Sequence, residues 1–174
     1  AVVADRWHVQ SVLPGVDPAV GMARLRASCP PGAEAELEMT ARVAGAMAEA
    51  LRGERDPMQL LFPDGSLDTA ERMYRDSPTA RLYNGLMAEV MAAAAAARED
   101  GRRLRILEIG AGTGGTTSHV LPRLPAEGVD YTFTDVGALF VARARERFGA
   151  RDGMHFEVLD LERDPAGQGF GGRT

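Results

Sequence analysis

Cysteine is almost absent from this sequence, since Cys29 is the only one in 174 residues. A single cysteine excludes an internal disulfide bond and a zinc site built on cysteine pairs, and it fits a reducing compartment. No apolar run approaches the ~20 residues that a membrane-spanning helix needs. The first residues also lack the charged-then-apolar layout of a signal peptide. We therefore predict a cytoplasmic protein without a membrane segment.

A surplus of positive charge is missing as well, because the formal net charge is −5. Surfaces that bind nucleic acid are normally basic, so we expect no nucleic-acid partner. The hydrophobic and charged fractions, 45% and 26%, are those of an ordinary globular domain. The composition thus leaves a globular enzyme or a binding module as the main classes.

The part of the chain that follows the first 31 residues has helical periodicity. Residues 1–31 read as a lead-in segment, and residues 32–100 as a helical subdomain. Ser77 followed by Pro78 predicts a helix start, because a serine hydroxyl caps the helix and proline suits its first position. We expect this helix to run to about residue 98 and to turn these residues inward: Leu82, Leu86, Val90 and Met91.

Residues 101–174 instead alternate short apolar runs with helical patterns. The run Leu104–Ile109 is apolar enough to predict a strand that is buried on both faces. The alternation of strands and helices predicts a parallel, doubly wound α/β sheet. The remaining expected elements are strands at Tyr131–Thr134 and Met154–Leu159 and helices at residues 115–124 and Ala138–Phe148.

The first strand runs directly into a loop rich in glycine, ILEIGAGTGGTT at residues 106–117. Gly110, Gly112 and Gly114 keep the loop free of side chains, so a ligand can lie against its backbone. The loop also fits a dinucleotide-binding G-x-G-x-x-G pattern, and a NAD-dependent oxidoreductase is one alternative. The carboxylate of Glu108 argues against it, because it would repel a pyrophosphate but hold a cationic amine.

Each predicted strand ends at or near an acidic residue. Parallel strands bring Glu108, Asp135 and Asp160 to one edge of the sheet. A carboxylate such as that of Asp135 accepts hydrogen bonds from both hydroxyls of a ribose. The set suits a ligand with an amine, a ribose and an adenine, which S-adenosylmethionine combines. We found no pattern that predicts a metal site.

Several longer stretches carry a more specific resemblance. RILEIGAGTGGTTSHVLPRL, YTFTDVGALFVARARERF and FEVLDLERDPAGQGF, with YRDSPTARLYNGLMAE upstream, resemble the S-adenosylmethionine-dependent C-methyltransferase domains of modular polyketide synthases. The resemblance covers residues 65–170 well and residues 32–64 loosely. It implies a partial class I methyltransferase (Rossmann-like) parallel sheet, preceded by an α-helical lid subdomain at residues 32–100.

The resemblance also implies roles for individual residues. Glu108 and the glycines Gly110, Gly112 and Gly114 would face the methionine end of S-adenosylmethionine. Asp135 would hold the ribose hydroxyls, while Asp160 and Leu161 would flank the adenine. Tyr74 would cover the cofactor from the lid. Each role has a structural alternative: a tight turn for the glycines, a helix cap for Asp135, a solvated turn for Asp160 and plain packing for Tyr74.

The residues that would perform the chemistry are not found in this sequence. Resembling domains place a histidine in an N-V-L-H-A-T-like segment after a fourth strand, and no such segment occurs here. We therefore expect an incomplete sheet, with the first strand at its edge and the catalytic half outside this chain. Catalytic residues stay unassigned, and residues 101–174 read as the N-terminal half of the cofactor-binding core.

By this resemblance the complete domain would methylate the α-carbon of a β-ketoacyl chain on an acyl carrier protein. Its partners would be the carrier-bound intermediate and neighbouring synthase domains, or a second segment that completes the sheet. The chain alone would be inactive. The alternatives are a truncated, non-catalytic pseudo-methyltransferase with a structural role and an O-methyltransferase of the same family.

Overall fold

The computed structural model describes residues 2–3, 6–7, 11, 15, 17–98 and 102–171. Two short antiparallel strands, β1 (Val2–Val3) and β2 (Arg6–Trp7), come before everything else. A helical region and then a three-stranded sheet with its own helices follow. None of the helices in this described part combines the length and the apolarity that crossing a membrane requires.

Three helices of the helical region begin with the same local device. A capping side chain accepts a hydrogen bond from a backbone N–H of the first turn, and proline occupies the first helical position. Asp17, Asp56 and Ser77 are these caps, with Ala19, Met58 and Ala80 as the donors. The helices of the region are α1 (Pro18–Ala27), α2 (Glu34–Leu51), α3 (Pro57–Leu61), α4 (Asp68–Asp76) and α5 (Pro78–Ala96).

The start of α5 confirms the prediction from Ser77 and Pro78, but the predicted inward face is wrong for most of its residues. Leu82, Leu86 and Val90 are all more than half exposed, and Met91 alone of the predicted set packs against the core. Alanines at helical spacing face the core instead and let α5 approach its neighbours closely, and the polar Asn84 is buried beside the glycine loop. These buried positions are Asn84, Ala88 and Ala95.

The sheet consists of parallel strands in the order β3-β4-β5, as the sequence predicts. Glu108 pairs with Phe133, and Phe133 pairs with Phe156, so these three side chains share one face. The elements of this half are β3 (Leu104–Ile109), α6 (Gly115–Val120), β4 (Val129–Asp135), α7 (Ala138–Phe148) and β5 (Met154–Val158). Short 3-10 helices cover Leu121–Arg123 and Pro165–Gln168, and another at Pro63–Gly65 follows α3.

Helices α5, α6 and α7 all pack on one face of this sheet. Val120, Val129 and Tyr131 lie in one core cluster, and Phe133 and Val141 lie in a second one beside it. Strand β3 lies at an edge of the three-stranded sheet, which agrees with the sequence analysis.

The prediction that β3 is buried on both faces is wrong for the described residues. Leu107 and Ile109 are 47% and 48% exposed, on the face that no described helix covers. Their neighbours Ile106 and Glu108 are half-buried on the other face. The helices after β3 and β4 lie on a single side of the sheet, and none of the described helices covers the second side.

Candidate ligand-binding site

A cleft of about 480 Å³ opens where β3 ends, between the glycine loop and the helical region. One wall is backbone from Gly110 to Thr113, continued by Thr116 at the start of α6. Tyr74 and Asn84 form the opposite wall. Phe62 and Phe140 also line the cleft and meet edge to face, with ring centroids 6.0 Å apart. A cavity of this size matches sites for small molecules and cofactors.

Gly110 and Gly112 have the conformation and the surroundings of a ligand surface. Their φ angles are +67° and +55°, a region that side chains disfavour. A Cβ atom added to either residue would meet no atom within 4 Å. Packing therefore does not require glycine at these two positions; the positive φ favours it, and the missing side chains leave the cleft open to a ligand.

Gly114 and Gly115 occupy the same loop but lie against protein atoms. A Cβ on Gly114 would come within 2.8 Å of the Phe148 ring, and one on Gly115 within 2.4 Å of the Tyr74 carbonyl oxygen. Gly114 does not line the cleft and is buried. Gly115 borders the cleft, but it is also the point at which the last turn of α4 rests on α6.

Asp135 braces the loop from behind. Its Oδ2 accepts a hydrogen bond of 2.8 Å from the Gly112 N–H, and its Oδ1 accepts one of 2.7 Å from the Gly137 N–H. The side chain is buried, and it connects the end of β4 to the loop after β3 and to the start of α7. Each carboxylate oxygen keeps a second lone pair, so these bonds do not exhaust its capacity as an acceptor.

Glu108 lies beneath the loop rather than on the wall of the cleft. Its Oε2 accepts hydrogen bonds from the Thr117 hydroxyl at 2.5 Å and from the Tyr131 hydroxyl at 2.8 Å. Burial raises the pKa of this carboxyl group, and the two hydrogen bonds oppose that rise. Burial and the neighbouring charge of Glu108 also raise the pKa of Tyr131, which therefore stays a neutral donor.

The residues predicted to contact the adenine lie away from the cleft walls. Asp160 caps its own turn, since its Oδ1 accepts a bond from the Glu162 N–H. The side-chain amide of Gln168 clamps the backbone of Asp160 at both N–H and C=O. Leu161 is 60% exposed. The structure thus brings Tyr74, Gly110 and Gly112 together in the cleft, sets Asp135 behind them and leaves Asp160 and Leu161 outside.

The residues that join the two walls were not predicted from the sequence. The Asn84 amide donates to the Tyr74 carbonyl at 2.9 Å and accepts from the Thr116 hydroxyl at 2.8 Å. His119 Nε2 lies 3.0 Å from the Arg75 carbonyl oxygen, so it joins α6 to the same turn of α4. The only signal in the sequence was Asn84 itself, a polar residue in the first half of a helix that is rich in alanine.

The chemistry of the cleft is that of binding and orientation. Among the described residues that line it, none is a carboxylate, a histidine, a lysine or an arginine. The lining offers backbone groups, two threonine hydroxyls, one amide and three aromatic rings. Such a surface holds a ligand in place but supplies no general base.

Comparison with known proteins gives concordant matches. A family model described as a methyltransferase domain matches residues 107–172. The polyketide synthase ThaG of Burkholderia thailandensis is 39% identical over 169 residues, which are 94% of this chain. The crystal structure of the CurJ carbon methyltransferase is 40% identical and superimposes with a TM-score of 0.86 over 97% of this chain. The trans-methyltransferase CalH in complex with SAH is 30% identical, with a TM-score of 0.60 over 87% of this chain.

The chain spans only part of these proteins. The match covers 3% of ThaG, 44% of the CurJ chain and 41% of the CalH chain. The similarity therefore concerns one region within a much larger synthase and less than half of each solved domain.

Proposed function

Because the chain belongs to the methyltransferase domains of polyketide synthases, we propose that its cleft binds S-adenosylmethionine for carbon methylation. The acceptor would be the α-carbon of a β-ketoacyl chain on an acyl carrier protein, within a synthase that carries this chain among its domains. The name of one neighbour supports carbon rather than oxygen as the methylated atom, since CurJ is described as a carbon methyltransferase.

The observation that carries the proposal is the pair of glycines with free space beside them. Gly110 and Gly112 keep a positive φ and face an open cleft, while Asp135 fixes Gly112 from behind. A cleft that offers bare backbone at the end of a strand, with a carboxylate behind that backbone, suits the adenosine and amino-acid parts of S-adenosylmethionine. CalH, of the same fold, is seen with SAH, the demethylated product of that cofactor.

Different described residues would contact different parts of the cofactor. Gly110 and Gly112 would lie against the methionine end, and the free lone pairs of Asp135 would accept the ribose hydroxyls. Tyr74 would close the cleft from the helical region. Glu108 would act from beneath, by adding negative charge under the loop. Contacts of Asp160 and Leu161 with the adenine stay a prediction, which rests on their position after β5 at the same edge of the sheet.

When bound, S-adenosylmethionine supplies an electrophilic methyl group on a positively charged sulfur. The residues of this chain hold and orient it, and orientation is a large part of the rate acceleration in transfers of this kind. Phe62, Tyr74 and Phe140 give the cleft apolar walls, against which a bound ligand would pack. Since no described residue in the cleft is a base, we propose that the group that removes the α-proton comes from outside the described residues.

Calorimetric titration tests the cofactor directly. The full chain is titrated with S-adenosylhomocysteine and, separately, with NAD, which shares the adenosine part. We expect saturable binding of S-adenosylhomocysteine alone. Preference for NAD would favour an oxidoreductase, and no binding by a folded chain would favour a purely structural domain.

The methyl acceptor needs a second assay on the synthase that carries the chain. The carrier protein is loaded with a β-ketoacyl group and analysed by mass spectrometry after addition of S-adenosylmethionine. We expect one added methyl group on the α-carbon. A methyl group on oxygen would identify an O-methyltransferase, and an unchanged mass with intact cofactor binding would identify a non-catalytic domain.

A further inference from the structure

We propose that the Thr116 hydroxyl oxygen accepts a hydrogen bond from the amino group of the ligand, and that Asn84 fixes it in this role. The inference rests on the proposed function. It adds which group of the ligand lies against which wall of the cleft. Thr116 lies in the first turn of α6 and lines the cleft. The sequence analysis gave this task to Glu108, which the structure places beneath the loop.

The direction of these hydrogen bonds follows from the Tyr74 carbonyl, which can act only as an acceptor. The backbone carbonyl of Tyr74 can only accept, so the Asn84 atom 2.9 Å from it must be the amide nitrogen. The other end of the amide, Oδ1, then points at Thr116. A carbonyl oxygen can only accept as well, so the Thr116 hydroxyl donates its proton to Oδ1 at 2.8 Å. Asn84 is 8% exposed, which leaves little room for water to compete.

The hydrogen bond that Thr116 donates to Asn84 determines how its hydroxyl can interact with a ligand. A hydroxyl has one proton and two lone pairs, and the proton is already in use. Towards the cleft the oxygen can therefore act only as an acceptor, and it selects an N–H or O–H donor. No described residue that lines the cleft is cationic, so a protonated amino group meets no like charge there.

The test compares S-adenosylhomocysteine with its analogue that lacks the amino group. A hydrogen bond to a charged group contributes enough for a preference of about tenfold in Kd for the amino ligand. We expect wild-type protein and Thr116→Ser, which keeps the hydroxyl, to show this preference. Thr116→Val, which has almost the same shape, should bind the two ligands almost equally. Thr69→Val is the matched control, because its hydroxyl bonds Glu38 outside the cleft.

Each outcome separates the two claims. If wild-type protein fails to bind S-adenosylhomocysteine, the proposed function falls and this inference with it. If wild-type protein binds and Thr116→Val keeps the preference, or weakens both ligands by the same factor, the inference alone is overturned. Thermal unfolding of every variant confirms that the compared proteins are folded at the temperature of the titration. Should Thr116→Val not fold, Thr116→Ala is measured in its place, since it removes the same hydroxyl and should abolish the preference.

Discussion

Gly110 and Gly112 differ from Gly114 and Gly115 in what surrounds them, although all four lie within the same six residues of the chain. The first two, here called the front pair, face an open cleft and have no atom within 4 Å of an added Cβ. The other two, the rear pair, lie against Phe148 and the Tyr74 carbonyl. The comparison teaches that one run of glycines serves two purposes: the front pair admits a ligand, and the rear pair admits neighbouring side chains and the helical region.

The rear pair should show the largest effect on stability. In Gly115→Ala the new Cβ would lie 2.4 Å from a backbone oxygen that cannot move without displacing α4. We expect the free energy of unfolding to fall by about 3 kcal/mol, as overpacking at rigid contacts does. Chemical denaturation measures this. Gly45→Ala is the control, because Gly45 lies within helix α2 with nothing within 4 Å, and alanine there should stabilise by about 0.5 kcal/mol. Equal effects of the two variants would contradict the assignment of the rear pair.

The next largest effect on stability should come from Asp135, whose carboxylate holds the glycine loop behind the front pair. Asp135→Asn keeps one acceptor oxygen but turns an amide N–H towards a second backbone N–H, either that of Gly112 or that of Gly137. We expect a loss of about 2 kcal/mol in the free energy of unfolding, because a buried N–H loses its partner.

A second aspartate provides the control for this brace. Asp56 caps α3 through a single oxygen, so Asp56→Asn should change the free energy of unfolding by less than about 0.5 kcal/mol. If Asp135→Asn changed the free energy of unfolding as little as Asp56→Asn does, the two hydrogen bonds of Asp135 would not stabilise the loop.

Glu108 should show a smaller effect and one of opposite sign. Burial raises its folded-state pKa above the ordinary 4.5, so the folded state holds the proton more tightly than the unfolded state. The contribution of this group to stability therefore falls as the pH rises through the window above 4.5. Gln at this position still accepts from Thr117 and Tyr131 without a buried charge.

We accordingly expect the stability advantage of Glu108→Gln over wild-type protein to grow across that window, by denaturation at a series of pH values. The difference between the two proteins removes the contributions of all other titrating groups. A constant difference would show that the buried carboxylate does not oppose folding.

We expect Glu108→Gln also to bind S-adenosylmethionine, the cationic ligand, more weakly, because the negative charge beneath the loop is lost.

Local signals in the sequence predicted the architecture well. The bounds of β3 and α7 agree with the structure, as does the start of α5, because apolar runs and the Ser77–Pro78 cap act over a few residues. The same cap-and-proline signal at Asp17 and Asp56 also starts helices, which the sequence analysis did not use.

The site was only partly predictable, because its decisive contacts join residues far apart in the chain. Nothing in GAGTGG separates the front pair from the rear pair, since the difference depends on Phe148 in α7 and Tyr74 in α4. The role of Asn84 could not be read from the sequence for the same reason, as its partners lie on α4 and α6. The inward face of α5 was misjudged because residue hydrophobicity favoured leucines, whereas close approach of the helices selected alanines.

The most direct test of the account is the binding of S-adenosylhomocysteine by Gly110→Ala beside Gly53→Ala. Both glycines have a positive φ, +67° and +73°, with nothing within 4 Å, so each alanine should cost about 1 kcal/mol of stability. Gly53 lies after α2, outside the lining of the cleft. The account predicts that Gly53→Ala keeps the wild-type Kd, while Gly110→Ala raises it at least about tenfold through a methyl group in the ligand's place. Equal Kd values for the two variants would contradict the claim that the front pair faces the ligand.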